Sequence, residues 1–68
     1  MASATMMQGD AVVFARPDLA DILGIWRHAR GRVVGIHRAG DAPATVDVKF
    51  PGYDILERYL PDLFRPVP

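Results

Sequence analysis

The amino-acid sequence predicts a small, mainly β domain of five short strands with one long connection. Three features of the 68 residues support this prediction: short runs rich in β-branched and aromatic residues, Gly and Pro between the runs, and one run that alternates between apolar and polar residues. A chain of this length forms one domain at most. We expect a flexible tail over residues 1–8, which show no sustained apolar period, and the folded domain over residues 9–68.

The first strand is predicted at residues 11–15, where the sequence Ala-Val-Val-Phe-Ala is β-branched and aromatic. The Gly9-Asp10 pair before it is typical of a turn, and Pro17 ends the strand.

The connection over residues 17–30 is ambiguous. Its apolar residues recur at spacings of three and four, as in an amphipathic helix, and Pro17 followed by Asp18 suits a first helical turn. Gly24 interrupts this pattern and Gly31 ends it. Two alternatives remain, namely a long loop that contains one or two helical turns, or a marginal helix.

The second strand is predicted at residues 33–38, with Val34 and Ile36 on one face and Val33 and His37 on the other. A turn-forming segment follows at residues 39–43. The third strand has the clearest pattern in the chain, because apolar residues at positions 46, 48 and 50 alternate with polar residues at positions 45, 47 and 49. That alternation predicts one buried and one exposed face.

The C-terminal region fits either a helix or two strands. Apolar residues between Ile55 and Leu63 follow a helical period, but Pro61 inside a helix would cost about 3 kcal/mol. We therefore expect a fourth strand at residues 54–59, a 3₁₀ turn at residues 61–63 and a fifth strand at residues 64–67. Pro66 requires the fifth strand to lie at an edge.

Three segments resemble the SH3-like class of small barrels. Residues 9–14 (GDAVVF) look like the Gly-Asp-x-Val first strand of many such barrels, and residues 29–36 look like their Gly-x-Val-x-x-Ile second strand, which also occurs in KOW motifs. Residues 60–67 are similar to the Pro-containing 3₁₀ turn and closing strand of SH3 domains. The resemblance implies a five-stranded barrel with a long first loop and a 3₁₀ turn before the last strand.

The resemblance implies three kinds of function. KOW domains bind RNA or protein, whereas small electron-transfer accessory proteins, such as one from photosystem I and the variable chain of ferredoxin-thioredoxin reductase, dock without chemistry of their own. The plasmid-borne type II dihydrofolate reductase is a tetramer with its active site in a central pore. Its Val-Gln-Ile-Tyr strand would correspond here to residues 46–49 (VDVK), which carry a carboxylate and an ammonium instead of an amide and a hydroxyl. The Ala-Leu-x-x-Tyr strand and paired tryptophans of peptide-binding SH3 domains are absent from this sequence.

Charge is balanced overall but unevenly placed. Eight basic and eight acidic residues cancel, yet residues 16–38 hold five arginines and two aspartates, whereas residues 41–62 hold five acids and two bases. Guanidinium groups bind phosphates and an indole stacks on bases, so the basic half contains the candidate binding surface. Its residues are Trp26, Arg27, His28, Arg30, Arg32 and Arg38. The alternative is that Trp26 packs in the core while the arginines are solvated.

Large apolar residues exceed what so small a core can hold, and such a surplus indicates a protein interface. The candidate interface residues are Leu19, Ile22, Leu23, Tyr53, Ile55 and Tyr59. They predict self-association or docking onto a larger subunit, unless the N-terminal tail covers them.

Catalytic, metal and cofactor sites are not predicted. The chain has no cysteine, two histidines nine positions apart, and a single serine, Ser3, in the expected tail. The glycines are too widely spaced for a nucleotide-binding loop. We expect a cytoplasmic, non-catalytic protein-interaction module or small accessory subunit, without a cofactor, a signal peptide or a membrane anchor. The alternative is a KOW-like nucleic-acid-binding domain, and a pore-type oligomeric reductase comes third.

Overall fold

The computed structural model describes residues 6–67 of the chain, which contain five antiparallel strands in one sheet. The strands are β1 (Ala11–Phe14), β2 (Gly31–Ala39), β3 (Ala42–Lys49), β4 (Leu56–Tyr59) and β5 (Phe64–Pro66). A helix, α1 (Pro17–Leu23), lies between β1 and β2, and a 3₁₀ turn (Pro61–Leu63) precedes β5. The prediction of a mainly β domain with this order of elements is confirmed.

The sheet is open. Its strand order is β4-β3-β2-β1-β5, so β4 and β5 form the two edges, and within residues 6–67 no strand pairing joins them. The predicted closure into a barrel is therefore not confirmed. The edge strands have only four and three residues, and Pro66 lacks the N–H that a second neighbour of β5 would need. Pro66 does lie in an edge strand, as predicted.

The first part of the expected tail, residues 1–5, lies outside the described residues. Met6 is buried against the core. The N–H of Met7 donates to the Asp10 carboxylate at 2.9 Å, and the N–H of Gly9 donates to the carbonyl of Val33 at 2.7 Å. The chain therefore contacts the domain from Met6 onward.

The ambiguous connection is helical in its first half and a loop in its second. Pro17 occupies the first turn of α1, and Asp18 places negative charge at the helix N-terminus, where the helix dipole favours it. Gly24 ends the helix with a φ of 73°, in the left-handed region that glycine adopts most easily. The N–H of Ile25 then donates to the carbonyl of Ala20 at 2.9 Å and directs the chain back toward the sheet.

The core lies on one face of the sheet and is centred on three phenylalanines. The rings of Phe14 and Phe50 stack with centroids 4.7 Å apart, and the ring of Phe64 lies 5.5 Å from that of Phe14. Among the residues whose burial the structure describes, ten apolar ones are buried: Met6, Val12, Phe14, Ala20, Ile25, Val33, Val46, Val48, Phe50 and Phe64. The buried positions of β3 and the residue after it follow the predicted alternation.

A β-bulge in β2 changes which of its side chains share a face of the sheet. Val33 pairs with Val48, whereas Gly35 pairs with Asp47, so Val34 is an extra residue between two paired positions. Val33 is consequently 1% exposed and Val34 39% exposed, and Ile36 packs against the core. The prediction that Val34 and Ile36 share a face was wrong, because strict alternation does not hold across a bulge.

One turn and the start of one strand differ from their predicted positions. The pairing of β2 with β3 extends to Ala39 and Ala42, so the hairpin turn contains only Gly40 and Asp41 instead of residues 39–43. Gly40 has a φ of 57°, which suits a two-residue hairpin. The fourth strand begins at Leu56 instead of residue 54, after a turn in which Gly52 has a φ of 86°.

Replacement of Gly31 by Ala tests the packing of β2 on the core. A Cβ at this position would lie 2.9 Å from the ring of Phe50 and from Cγ1 of Val48, two side chains with 0% exposure that cannot move aside. We expect Gly31→Ala to lower the free energy of unfolding by about 1–3 kcal/mol, measured by urea denaturation. Val34→Ala, in the same strand but exposed, should change it by about 0.5 kcal/mol or less, and equal losses would contradict the packing assigned here.

Candidate functional site

Trp26 is the most exposed aromatic residue among those that the structure describes. It lies in the loop between α1 and β2, with 65% of its surface exposed, and its ring meets the ring of His28 edge to face at 5.4 Å. The neighbouring residue Ile25 is buried instead. The interpretation in which Trp26 fills the core was therefore wrong, because the smaller side chain beside it takes the core position.

A groove beside Trp26 gathers positive charge from the loop and from β5. Its basic lining residues are Arg27, His28, Arg30 and Arg65, and its apolar lining residues are Val13, Phe14, Ala15, Pro17 and Val67. The groove has a volume of about 450 Å³. Its nine lining residues include no acid. We call this feature the cationic groove.

The arginines of the cationic groove differ in their partners. Arg27 forms an exposed ion pair with Asp21 at 3.2 Å, an interaction that contributes about 0–1 kcal/mol in such a setting. Among residues 6–67, Arg30 and Arg65 have no ion-pair or side-chain hydrogen-bond partner. Two guanidinium groups are thus available to a ligand, and a third is held only weakly.

The structure separates the other two predicted cations from this groove. Arg32 donates to the carbonyl of Gly9 at 2.7 Å and so supports the turn before β1. Arg38 lines a second groove of about 530 Å³, together with Ile36, Asp62 and Arg65. Of the six predicted binding residues, Arg27, His28 and Arg30 line the cationic groove, and Trp26 stands next to it.

Arg65 is the groove residue that sequence reasoning missed. It pairs with Val13 in the register of β1 and β5, and it is a lining residue of both grooves. An isolated arginine in a short C-terminal strand carries no local signal. Only the pairing of β1 with β5 brings this arginine to the groove.

The predicted interface residues fall into two groups. Ile22 in α1 is 78% exposed, and Tyr53 and Ile55 are exposed in the segment before β4. Leu19, Leu23 and Tyr59 are half-buried and pack against the core. The predicted interface did not include Met7, Val34 or Leu60, which are also exposed.

A polar cluster on the outer face of the sheet joins β2, β3 and β4. The Asp47 carboxylate accepts from the N–H of Arg58 at 2.9 Å and lies 2.7 Å from Nε2 of His37. Arg58 has a φ of 61°, an unusual backbone conformation for arginine. Gly35 leaves room for this carboxylate, because a Cβ there would lie 2.8 Å from Oδ2 of Asp47.

The electrostatics of this cluster favour a structural role. The hydrogen bond from the backbone of Arg58, followed by that with His37, lowers the pKa of Asp47 below its ordinary value of 3.8. The carboxylate is thus held in its charged form and fixes the backbone of β4. Within residues 6–67, no three His, Asp or Glu side chains are grouped so that they could hold a metal ion.

Comparisons with protein-family models, with curated proteins and with solved structures found no match to this chain. Within the described part of the chain, no helix is long and apolar enough to cross a membrane.

The polar cluster makes stability depend on pH. The pKa of Asp47 is lower in the folded protein than in the unfolded chain. As the pH falls, the Asp47 carboxylate is therefore protonated in the unfolded chain before it is protonated in the folded protein. The stabilisation is complete above the ordinary value of 3.8 and is lost as the pH falls through the lower, folded value. Urea denaturation from about pH 6 to about pH 2 should therefore show a steeper acid loss for the wild type than for Asp47→Asn.

The control for this experiment is Asp54→Asn, at an exposed position outside the cluster. Its stability should follow that of the wild type as the pH falls. If the Asp47→Asn variant lost stability as steeply as the wild type, the carboxylate would not be holding β4.

Proposed function

We propose that this chain is a non-catalytic protein-interaction module or small accessory subunit that docks through the exposed face formed by Ile22 and Trp26. The observation that carries the proposal is their exposure, 78% and 65%, in a domain of only 68 residues. A buried tryptophan contributes more to protein interfaces than most residue types, because it removes a large apolar area from water at little entropic cost.

The ion pair between Asp21 and Arg27 supports the assignment of Ile22 and Trp26 to one face. Asp21 precedes Ile22 and Arg27 follows Trp26, so the 3.2 Å contact brings the loop back beside α1. Two large exposed apolar residues are therefore the sequence neighbours of one exposed ion pair. An apolar centre with a charged rim is the usual composition of a protein-docking surface.

The same proposal includes an SH3-like origin for the fold, as an open relative of the five-stranded barrels. Two features support it: β1 pairs with both β2 and β5, and a 3₁₀ turn precedes β5.

The absence of cysteine from the sequence supports a reducing compartment, for which we propose the cytoplasm. Asp47 and Lys49 stand where the pore-type reductase carries an amide and a hydroxyl, so the sequence gives that reading no support.

Replacement of Ile22 by Asp tests the docking proposal. Immobilised wild-type protein should retain a specific partner from a lysate of its own cells at about 0.5 M salt, because apolar contacts are not screened. Ile22→Asp should lose most of that partner by quantitative mass spectrometry. The matched control is Leu60→Asp, which places the same charge at an exposed position that is not among the predicted interface residues.

The comparison is valid only if both variants give the circular dichroism of the wild type. Retention of the same proteins by both variants would contradict the assigned face. Failure of the wild type to enrich any protein over a blank resin would contradict the docking function itself.

Nucleic-acid binding is a second candidate function, and one observation favours it: the exposed Trp26 stands beside three arginines and a histidine that line one groove. Single-stranded nucleic acids bind to such combinations of an aromatic platform and a positively charged groove.

Titration of the protein with mixed-sequence RNA and single-stranded DNA, followed by Trp26 fluorescence, tests this candidate. Saturable quenching is expected at about 50 mM salt, and contact with about three phosphates should weaken binding roughly tenfold or more by about 200 mM. A flat response at both salt concentrations would exclude nucleic acid and leave protein docking.

A further inference from the structure

We propose that the cationic groove is a phosphate-binding subsite for single-stranded nucleic acid, with Arg65 and Arg30 as its principal phosphate ligands and Trp26 as the adjoining stacking platform. This inference rests on the nucleic-acid candidate described above. It adds the groove's ligand chemistry, the contribution of β5, and the exclusion of Arg32 and Arg38 from the site.

Uncompensated positive charge is the first reason. Three arginines and a histidine line the same groove, only Arg27 among the arginines is ion-paired, and no acid is among the lining residues. Like charges held together repel each other, and a bound anion removes that repulsion. Arg30 and Arg65 lack an ionic partner within residues 6–67, so a ligand does not have to displace one.

The placement of the two principal arginines is the second reason. Arg65 belongs to a strand whose register with β1 is fixed by the pairing with Val13 and by the N–H of Val67, which donates to the carbonyl of Ala11 at 3.0 Å. Arg30 immediately precedes β2. Guanidinium groups supplied from two sides can each donate a fork of hydrogen bonds to one phosphate, which fixes its position.

The shape of the groove and the neighbouring Trp26 favour single-stranded over double-stranded nucleic acid. Its volume of about 450 Å³ is within the range of about 300–1,000 Å³ that accommodates small organic groups, and five of its nine lining residues are apolar, which suits the sugar. Trp26 exposes its ring next to His28 at the rim. Only an unpaired base can stack on that ring, because the bases of a duplex already stack on each other.

Arginines also bind carboxylates, so an acidic peptide is the competing ligand. Trp26 favours the nucleic acid, because an acidic peptide gains little from an aromatic platform whereas every base has a π-face.

The test compares Arg65→Ala with Arg38→Ala, which removes the same charge from outside the cationic groove. Trp26 fluorescence would follow the binding of a mixed-sequence single-stranded DNA of about ten nucleotides. Arg65→Ala should weaken binding roughly tenfold and reduce the salt slope by about one, whereas Arg38→Ala should change the affinity less than about threefold. Arg65→Lys should restore part of the affinity, because it restores the charge but not the fork.

Further probes distinguish the ligand. A duplex of the same sequence and a poly-glutamate peptide should each bind at least roughly tenfold more weakly than the single strand. Equal losses for Arg65→Ala and Arg38→Ala would overturn the subsite while leaving nucleic-acid binding in place. Equal affinity for the duplex or for poly-glutamate would overturn the single-strand assignment. If no nucleic acid bound at all, both the inference and the candidate function beneath it would fail.

Discussion

The stack of Phe14 on Phe50, closed by Phe64, is the interaction on which the rest of the structure depends. Phe14 comes from β1, Phe50 directly follows β3, and Phe64 begins β5, so the three rings connect strands that are distant in sequence. A three-residue strand cannot hold its place through backbone pairing alone. Phe64 anchors β5, and β5 in turn places Arg65 opposite the loop that carries Arg27 and Arg30.

The two faces of the sheet have different physical roles. The inner face holds the buried apolar residues, whereas the outer face carries the cluster of His37, Asp47 and the backbone of Arg58. The bulge at Val34 connects them, because it keeps Val33 and Ile36 on the inner face and still places Gly35 beneath the Asp47 carboxylate. One extra residue in β2 thus serves the packing on one side and the polar cluster on the other.

The elements of this fold were largely predictable, and the site was predictable only in part. Strict alternation predicted β3, and Pro17, Gly24 and Pro61 predicted where the helix and the 3₁₀ turn begin or end. The bulge was not predictable, because an extra residue in a Val-Val-Gly-Ile run leaves no local mark. The exposure of Trp26 depends on competition with Ile25 for one core position, and Arg65 enters the groove only through the pairing of β1 with β5.

The open edges of the sheet carry their own protection against the addition of further strands. An unpaired edge is a template for aggregation unless its hydrogen-bonding pattern is interrupted. At β4 the left-handed backbone of Arg58 interrupts it, and its N–H is already bound to Asp47. At β5 the ring of Pro66 removes a donor. Within residues 6–67 neither edge strand has a further strand partner, and these two features make the addition of one less favourable.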